Sequence, residues 1–269
     1  VPALDDLLRE AVTAGASDAH FATSRRPYFR VNGQLQSIGE TSFTEEEVGS
    51  LIASLIGTNN RSKQSLEQQR QADFSYSLSD GTRFRVNVFY RLNKVSAALR
   101  LIPKEIRSLE DLQLPPQLAQ FAGLRQGFVL VAGPAGHGKS TTLAALIDYI
   151  NQHRHEHIIT IEDPIEYQFT EKNSLIDQRE VGTDAVDFAT AVRATLRQDP
   201  NVIMIGELRD LETMQTAITV AETGHLVFAT LHTNDAAQTV ERLIDSFPPM
   251  QQHQIRTQLS VALSGVISQ

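Results

Sequence analysis

The run Gly133-Pro134-Ala135-Gly136-His137-Gly138-Lys139-Ser140-Thr141 satisfies the pattern G-x-x-x-x-G-K-[ST] in full. The chemistry this spacing supports is the cradling of phosphate. Glycines let the backbone curl until successive N–H groups face inward. Those donors, with a helix N-terminus behind them, form a concave anion site. Lys139 would reach the β- and γ-phosphates of a nucleotide, and the Ser140 hydroxyl would sit on Mg²⁺. An accidental glycine-rich turn would not need particular flanks. Here the apolar run Gly127–Ala132 leads in and the helix-forming run Thr142–Ile147 leads out, which is the strand–loop–helix setting that the motif requires.

Three further segments sit just past apolar runs. Ile159–Tyr167 brings Glu162, Asp163 and Glu166 together within five residues. ATP hydrolysis needs a carboxylate to orient and deprotonate the attacking water, and carboxylates to hold Mg²⁺ directly or through water. Taken alone the segment also fits a solvated acidic turn broken by Pro164; beside a phosphate loop the chemical reading gains weight. Val202–Asp210 is an apolar strand ending in an acid, a Walker B arrangement that would place Glu207 near the metal and the water. A helix cap or surface acid is the plain alternative. Gly224–Asn234 carries His225 and His232. His232 closes the strand, where it could hydrogen-bond a γ-phosphate, a contact that exists with ATP and is lost with ADP. Strand ends of this kind are where open α/β sheets bind ligands.

Two other clusters call for weighing. His153, His155 and His157 alternate and cannot share one helical face, so a cationic helix end suits them better than a metal site. Arg83 and Arg85 point to one face of a strand whose other face carries Phe84 and Val86. With Arg100 they form either a solvated strand face or an arginine finger reaching a neighbouring subunit's phosphate.

The elements that must position these groups differ between the two parts of the chain. Residues 1–20 read as a helix, with Leu4, Leu7, Leu8, Ala11 and Val12 on one face, followed by a turn. Strands at 28–31 and 34–38 flank Asn32-Gly33, a hairpin signal. Thr44 and Glu47 form a capping box at the start of a helix that Gly57 stops. A polar helix at 61–70 and strands at 73–78, 82–90 and 95–102 complete an α+β domain over residues 1–104 with an antiparallel sheet. Residues 105–117, with Pro115-Pro116, read as a linker. From Leu118 to Gln269 apolar runs at 128–132, 157–161, 202–205 and 226–230 alternate with helices at 141–151, 186–197, 211–222, 236–247 and 251–264. Near-continuous apolar strands between helices imply a mainly parallel sheet covered on both faces.

Composition bounds the reading. The 269 residues are 41% hydrophobic and 21% charged, with a formal net charge of −8 and neither Cys nor Trp. Disulfides and cysteine-based zinc modules are excluded. The acidic balance argues against sequence-independent nucleic-acid binding. No apolar run approaches the ~18–20 residues that span a bilayer, and Asp5, Asp6 and Glu10 interrupt any signal-peptide pattern, so a cytoplasmic location is expected.

Together the four segments resemble the motifs of the secretion ATPase superfamily, most closely the type IV pilus retraction ATPases. Gly133–Thr141 is similar to the Walker A motif, Ile159–Tyr167 to the "Asp box", Leu196–Asp210 to Walker B and Gly224–Asn234 to the "His box", in the family's order. The resemblance implies a PAS-like N-terminal domain and a RecA-like P-loop domain. It implies homohexameric rings that bind ATP or ADP with Mg²⁺ between the domains, completed by N-domain arginines. Carried over by motif, Glu166 is the expected catalytic glutamate, Glu207 the Walker B glutamate, His225 and His232 the His-box pair, and Arg83 and Arg100 the N-domain arginines. Ser140, Glu207, Glu162 and Asp163 are expected around the metal. An inner-membrane pilus platform protein and paralogous pilus ATPases are the implied partners, at the cytoplasmic face of the membrane, for pilus retraction and twitching motility.

His137 departs from the small residue usual in the Walker A motif. The run Gly265-Val266-Ile267-Ser268-Gln269 reads as the inside of a helix, with a further helical segment expected after it. The missing cysteines favour the retraction branch over the assembly and type II secretion ATPases, which commonly carry a four-cysteine zinc module. A nucleotide-gated accessory protein with little turnover and a RecA-like DNA translocase are the competing readings.

Overall fold

The apolar residues of the first helix, α1 (Leu4–Thr13), bury Leu4, Leu7, Leu8 and Ala11 at helical spacing. The computed structural model describes residues 3–269, and the chain divides into two units at Lys104/Glu105. In the first unit α1 is followed by β1 (Ala16–Ala22), β2 (Tyr28–Val31), β3 (Gln34–Ser37), α2 (Glu45–Ile56), α3 (Asn60–Gln69), β4 (Gln71–Ser77), β5 (Arg83–Arg91) and β6 (Lys94–Ile102). The strands form one antiparallel sheet in the order β3-β2-β1-β6-β5-β4. Helices α1 and α2 lay their apolar faces on Ala19, Phe21, Phe84, Val86 and Leu99 of that sheet. The capping box forms as read: Glu47 N–H donates to Thr44 Oγ1 at 3.2 Å and Thr44 N–H to Glu47 Oε2 at 2.7 Å.

One expectation is corrected here. The stretch after α1, read as a turn, is an inner strand of the sheet. A register irregularity between Ala16 and Asp18 breaks its alternation, and small or polar residues (Ser17, Asp18, His20) hide the buried set Ala16, Ala19 and Phe21.

In the second unit the proline-rich segment carries Leu109 into the core, with Leu112, Leu114 and Leu118 packed beside it. A 3₁₀ turn (Pro116–Leu118) and α4 (Ala119–Ala122) lead to β7 (Gly127–Ala132) and α5 (Lys139–His153). Then come β8 (His157–Glu162), β9 (Leu175–Glu180), α6 (Phe188–Thr195), β10 (Val202–Ile205), α7 (Leu211–Glu222), β11 (Leu226–Leu231), α8 (Ala236–Asp245), α9 (Pro249–Ala262) and β12 (Leu263–Ser268). The sheet order is β12-β7-β11-β10-β8-β9, and every pairing is parallel. Strands β7, β10 and β11 are buried throughout because helices cover both faces. On one face Phe128, Leu130, Ile203 and Val227 meet α6, α7, α8 and α9; on the other Val129, Val131, Met204 and Phe228 meet α5 and the 109–122 segment. Each such Val, Leu, Ile or Phe contributes about 1.5–3 kcal/mol by leaving water.

Two strands depart from the sequence reading. The run Leu263–Ser268 is a strand, not a helix: Val266 and Ile267 are β-branched, and the edge of β7 supplies the pairing partner. Strand β9 escapes a periodicity reading because it lies at the sheet edge and carries Asp177, Gln178, Arg179 and Glu180. No helix of the described residues is long and apolar enough to cross a membrane.

Candidate active site

Because β7, β8, β10 and β11 run parallel, their carboxyl ends share one edge of the sheet. That edge carries the phosphate loop, the acidic segment after β8, the turn after β10 and His232 after β11. Gly136 and Gly138 take φ values of 80° and 90°, which curl the loop before α5 begins at Lys139.

Lys139 is buried (7% exposed). Its Nζ donates to the carbonyls of Gly133 at 2.8 Å and Pro134 at 3.0 Å, and lies 3.3 Å from His232 Nδ1. Burial pushes its pKa down, against the opposing charges of Glu207 and Glu166. An ammonium has no acceptor, so Nδ1 receives this contact and carries no proton. The neutral ring therefore holds its proton on Nε2, which donates to Glu207 Oε1 at 3.0 Å. Glu207 Oε2 accepts from Arg209 Nε at 2.8 Å, and Arg209 Nη1 reaches Asp163 Oδ2 at 3.4 Å. Five side chains from the four sequence segments thus form one chain of contacts. At partly exposed positions such pairs add little stability, so their consequence is geometric.

The turn after β10 is fixed by the backbone. Gly206 N–H donates to Ile161 O at 2.8 Å, Thr230 Oγ1 donates to Gly206 O, and Leu208 N–H donates to Thr230 O at 3.1 Å. Glu207 therefore stands over the junction of β8, β10 and β11. Across the site, Thr141 Oγ1 and the Tyr167 hydroxyl lie 2.8 Å apart, tying α5 to the acidic segment.

The acidic residues divide by environment. Glu166 is exposed and Asp163 is exposed and paired with Arg209. Glu162, expected beside a metal, is instead turned inward. It is 5% exposed, with Oε1 accepting from Thr160 Oγ1 and Gln178 Nε2 and Oε2 accepting from Glu166 N–H. Burial drives its pKa from 4.5 to about 7, opposed by those three hydrogen bonds and assisted by the Glu166 charge.

That displacement has a stability consequence. A carboxyl that holds its proton more tightly folded than unfolded stabilises the fold fully below pH ~4.5 and loses that contribution as the pH rises through about 7. The displacement corresponds to about 3 kcal/mol. Urea unfolding of the wild type and Glu162→Gln at pH 5 and pH 8 is expected to show the wild type losing most of that amount relative to the variant. Parallel pH dependences would contradict it.

Other expected residues lie elsewhere. His225 precedes β11 while His232 follows it, so roughly 20 Å of strand separates them. His225 Nδ1 faces Val220 O at 3.1 Å. Arg83 donates to Ser75 Oγ at 3.0 Å and Arg100 to Asp18 at 2.9 Å, both on the first unit's own sheet. Burial raises the Asp18 pKa, but the Arg100 and Ser17 hydrogen bonds outweigh it and hold the carboxyl below its ordinary value. Of the three alternating histidines, His153 stacks on Tyr149 at 4.2 Å, His155 faces Asn173 O and His157 pairs with Asp177. Among the described residues no group of three His, Asp or Glu is placed to hold a metal by itself. Sequence reasoning missed Arg209, Tyr167 and Gln178. Arg209 could have been found as the base two residues past Glu207; Gln178, on a polar edge strand, left no signal.

Comparison with known proteins follows the same lines. A family model described as type II/IV secretion system protein matches residues 1–269. The chain is 41% identical over 266 residues to the type IV pilus retraction ATPase PilT of Pseudomonas aeruginosa, covering 99% of this chain and 77% of that protein. It is 46% identical over 243 residues to a twitching motility protein of Neisseria gonorrhoeae, covering 90% of this chain and 64% of that protein. A crystal structure of the pilus retraction motor PilT with bound ADP superimposes with a TM-score of 0.91 at 46% identity, covering 99% of this chain and 77% of that one.

Proposed function

Because the chain belongs to the type II/IV secretion system protein family, among its ATPases of the pilus-retraction type, we propose that it is a Mg²⁺-dependent ATPase motor that drives type IV pilus retraction. The observation that carries the reading is the contact chain Lys139–His232–Glu207, which joins phosphate loop, Walker B turn and His-box residue at one sheet edge.

In this reading the nucleotide phosphates lie on the loop 133–141. Lys139 leaves the carbonyls of Gly133 and Pro134 for the β- and γ-phosphate oxygens, where its charge stabilises the transition state. Glu166 accepts a proton from water as the water oxygen bonds to the γ-phosphorus. The bond from that phosphorus to the β–γ bridging oxygen breaks, leaving ADP and inorganic phosphate. Mg²⁺, when bound, neutralises phosphate charge. Ser140 and, through water, Glu207 are the groups that fit it, since Mg²⁺ takes most of its ligands from phosphates and water and needs few from protein. In this reading His232 exchanges its Nε2 contact with Glu207 for a γ-phosphate oxygen and reports phosphate loss to β11. His137 adds an exposed ring to the loop.

The motor reading further holds that six copies form a ring, that Arg83 or Arg100 completes a nucleotide site, and that the ring acts on a pilus platform protein at the cytoplasmic face of the inner membrane, alongside paralogous pilus ATPases. Relative identity and the ADP-bound likeness support it. Steady-state phosphate release measured across protein concentration tests it. Specific activity is expected to need Mg²⁺ and to rise steeply as the ring assembles. A flat, metal-independent rate would overturn the ring-motor reading.

A further inference from the structure

The segment bearing Glu166 is held by side chains. Ile165 N–H donates to Glu180 Oε2 at 3.1 Å, Glu166 N–H to Glu162 Oε2 at 3.2 Å and Phe169 N–H to Gln178 Oε1 at 2.9 Å. The carbonyl of Tyr167 accepts from Gln178 Nε2 at 2.8 Å. Two of these three side chains, Gln178 and Glu180, stand on the edge strand β9, and Gln178 lies opposite Thr160 in the pairing with β8.

Gln178 is the hub. Its oxygen must face the Phe169 N–H, which only donates, and its nitrogen must face the Tyr167 carbonyl and the Glu162 carboxylate, which accept. The same Nε2 lies 3.3 Å from Glu162 Oε1. One amide therefore clamps the two peptides on either side of Gln168, just past Glu166, and steadies the carboxylate that holds the peptide before Glu166. Gln178 is a neutral residue on a polar edge strand, and ordinary solvation of that edge does not require its amide to face inward twice.

Resting on the reading of Glu166 as the general base, we propose that Gln178 is a positioning residue for hydrolysis, acting through Glu162 and the Tyr167 peptide to aim the Glu166 carboxylate. Small misplacements of a catalytic group cost rate more than binding. The strand that leads into the phosphate loop, β7, is held by its pairings with β11 and β12, and the loop meets the Glu166 segment only through the Thr141–Tyr167 contact among the side-chain hydrogen bonds described. Loss of the clamp should therefore appear in kcat and leave nucleotide affinity alone.

The test uses Gln178→Ala and Gln178→Glu, each alone and combined with Glu166→Ala. Gln178→Glu keeps the side-chain length and an acceptor for Phe169 but loses the donor and sets a third carboxylate beside Glu162, so it serves if the alanine variant folds poorly. Both are expected to lower kcat roughly 10- to 100-fold. The dissociation constant of a fluorescent ATP analogue should stay within about threefold. In the Glu166→Ala background either change should cost less than about twofold more, because residues that act as a unit are non-additive. A kcat within twofold of wild type in both single variants would overturn the proposal while leaving Glu166 in place. An equal loss in the Glu166→Ala background would overturn it too, by showing another route. Wild-type turnover in Glu166→Ala alone would remove the general-base reading and the proposal with it.

Discussion

Turnover is expected to fall about 10³-fold in Glu166→Ala, within the range that a positioned general base contributes. Environment separates the acids of the segment. Glu166 and Asp163 are both exposed, but Asp163 is paired with Arg209, and Glu166 is free of the internal hydrogen bonds that engage both oxygens of Glu162. A buried, doubly engaged carboxylate cannot turn to accept a proton from water; an exposed one beside the loop can. Truncating an exposed side chain leaves the fold intact, and the peptide N–H of residue 166 still reaches Glu162. Nucleotide affinity should therefore hold within about threefold, since the loop donors and Lys139 are untouched. Phosphate-release kinetics with a parallel titration of a fluorescent ADP analogue would check both halves. Residual activity above about one third of wild type would move the general-base role to another group, with Glu207 next in line.

The second large effect is expected from Gly133→Ala, which should destabilise the protein by about 1–3 kcal/mol and abolish nucleotide binding together. Gly133 has φ 154°, and an added Cβ would lie 2.5 Å from the carbonyl oxygen of Gln269, a backbone atom that cannot swing aside. Gln269 is itself held: its N–H donates to Ala132 O at 2.9 Å and its side-chain amide to Thr142 Oγ1 at 2.7 Å. Relief must come from displacing either the end of β12 together with Gln269, which is bonded to Ala132 and Thr142 on the two sides of the loop, or the start of the phosphate loop itself. Chemical unfolding with nucleotide titration would measure the pair of losses. A variant that binds nucleotide normally would show that the two backbones can part without cost.

Much of this was legible in the chain because the chemistry here is local. A glycine-rich run, the strand before it and the helix after it, and acids placed at strand ends all fall within short windows, so the loop, Glu207, His232 and the three-acid cluster could be named from spacing, while only the resemblance to the Asp box singled out Glu166 within that cluster. The contacts among them could not. The Lys139–His232 contact joins residues 93 apart, and only the strand order β7-β11-β10 makes them neighbours. Periodicity failed where a side chain's task is not burial: at β1, which trades alternation for an irregular register, and at β9, whose Gln178 and Glu180 hold the Glu166 loop while Asp177 and Arg179 meet other partners. It failed differently at β12, where an existing strand edge decided the conformation of a short apolar run. Glu162 shows the converse limit. Three acids in five residues look alike in sequence, and only depth separates the one that holds the loop from those that meet solvent.

Strand β7 lies between β11 and β12, paired along both edges. The acidic segment opposite is held by side-chain hydrogen bonds from Glu162, Gln178 and Glu180. The two jaws of the site therefore differ in stiffness. On the phosphate-loop side any displacement must be shared by two ladders at once, so that side behaves as an anvil. On the Glu166 side the hold is by side chains that turn about single bonds, with no second ladder to share the displacement, so that side behaves as a spring. A cycle that converts a bond-breaking event into movement needs both: a fixed surface against which the phosphate is held, and a compliant one that registers when it has gone.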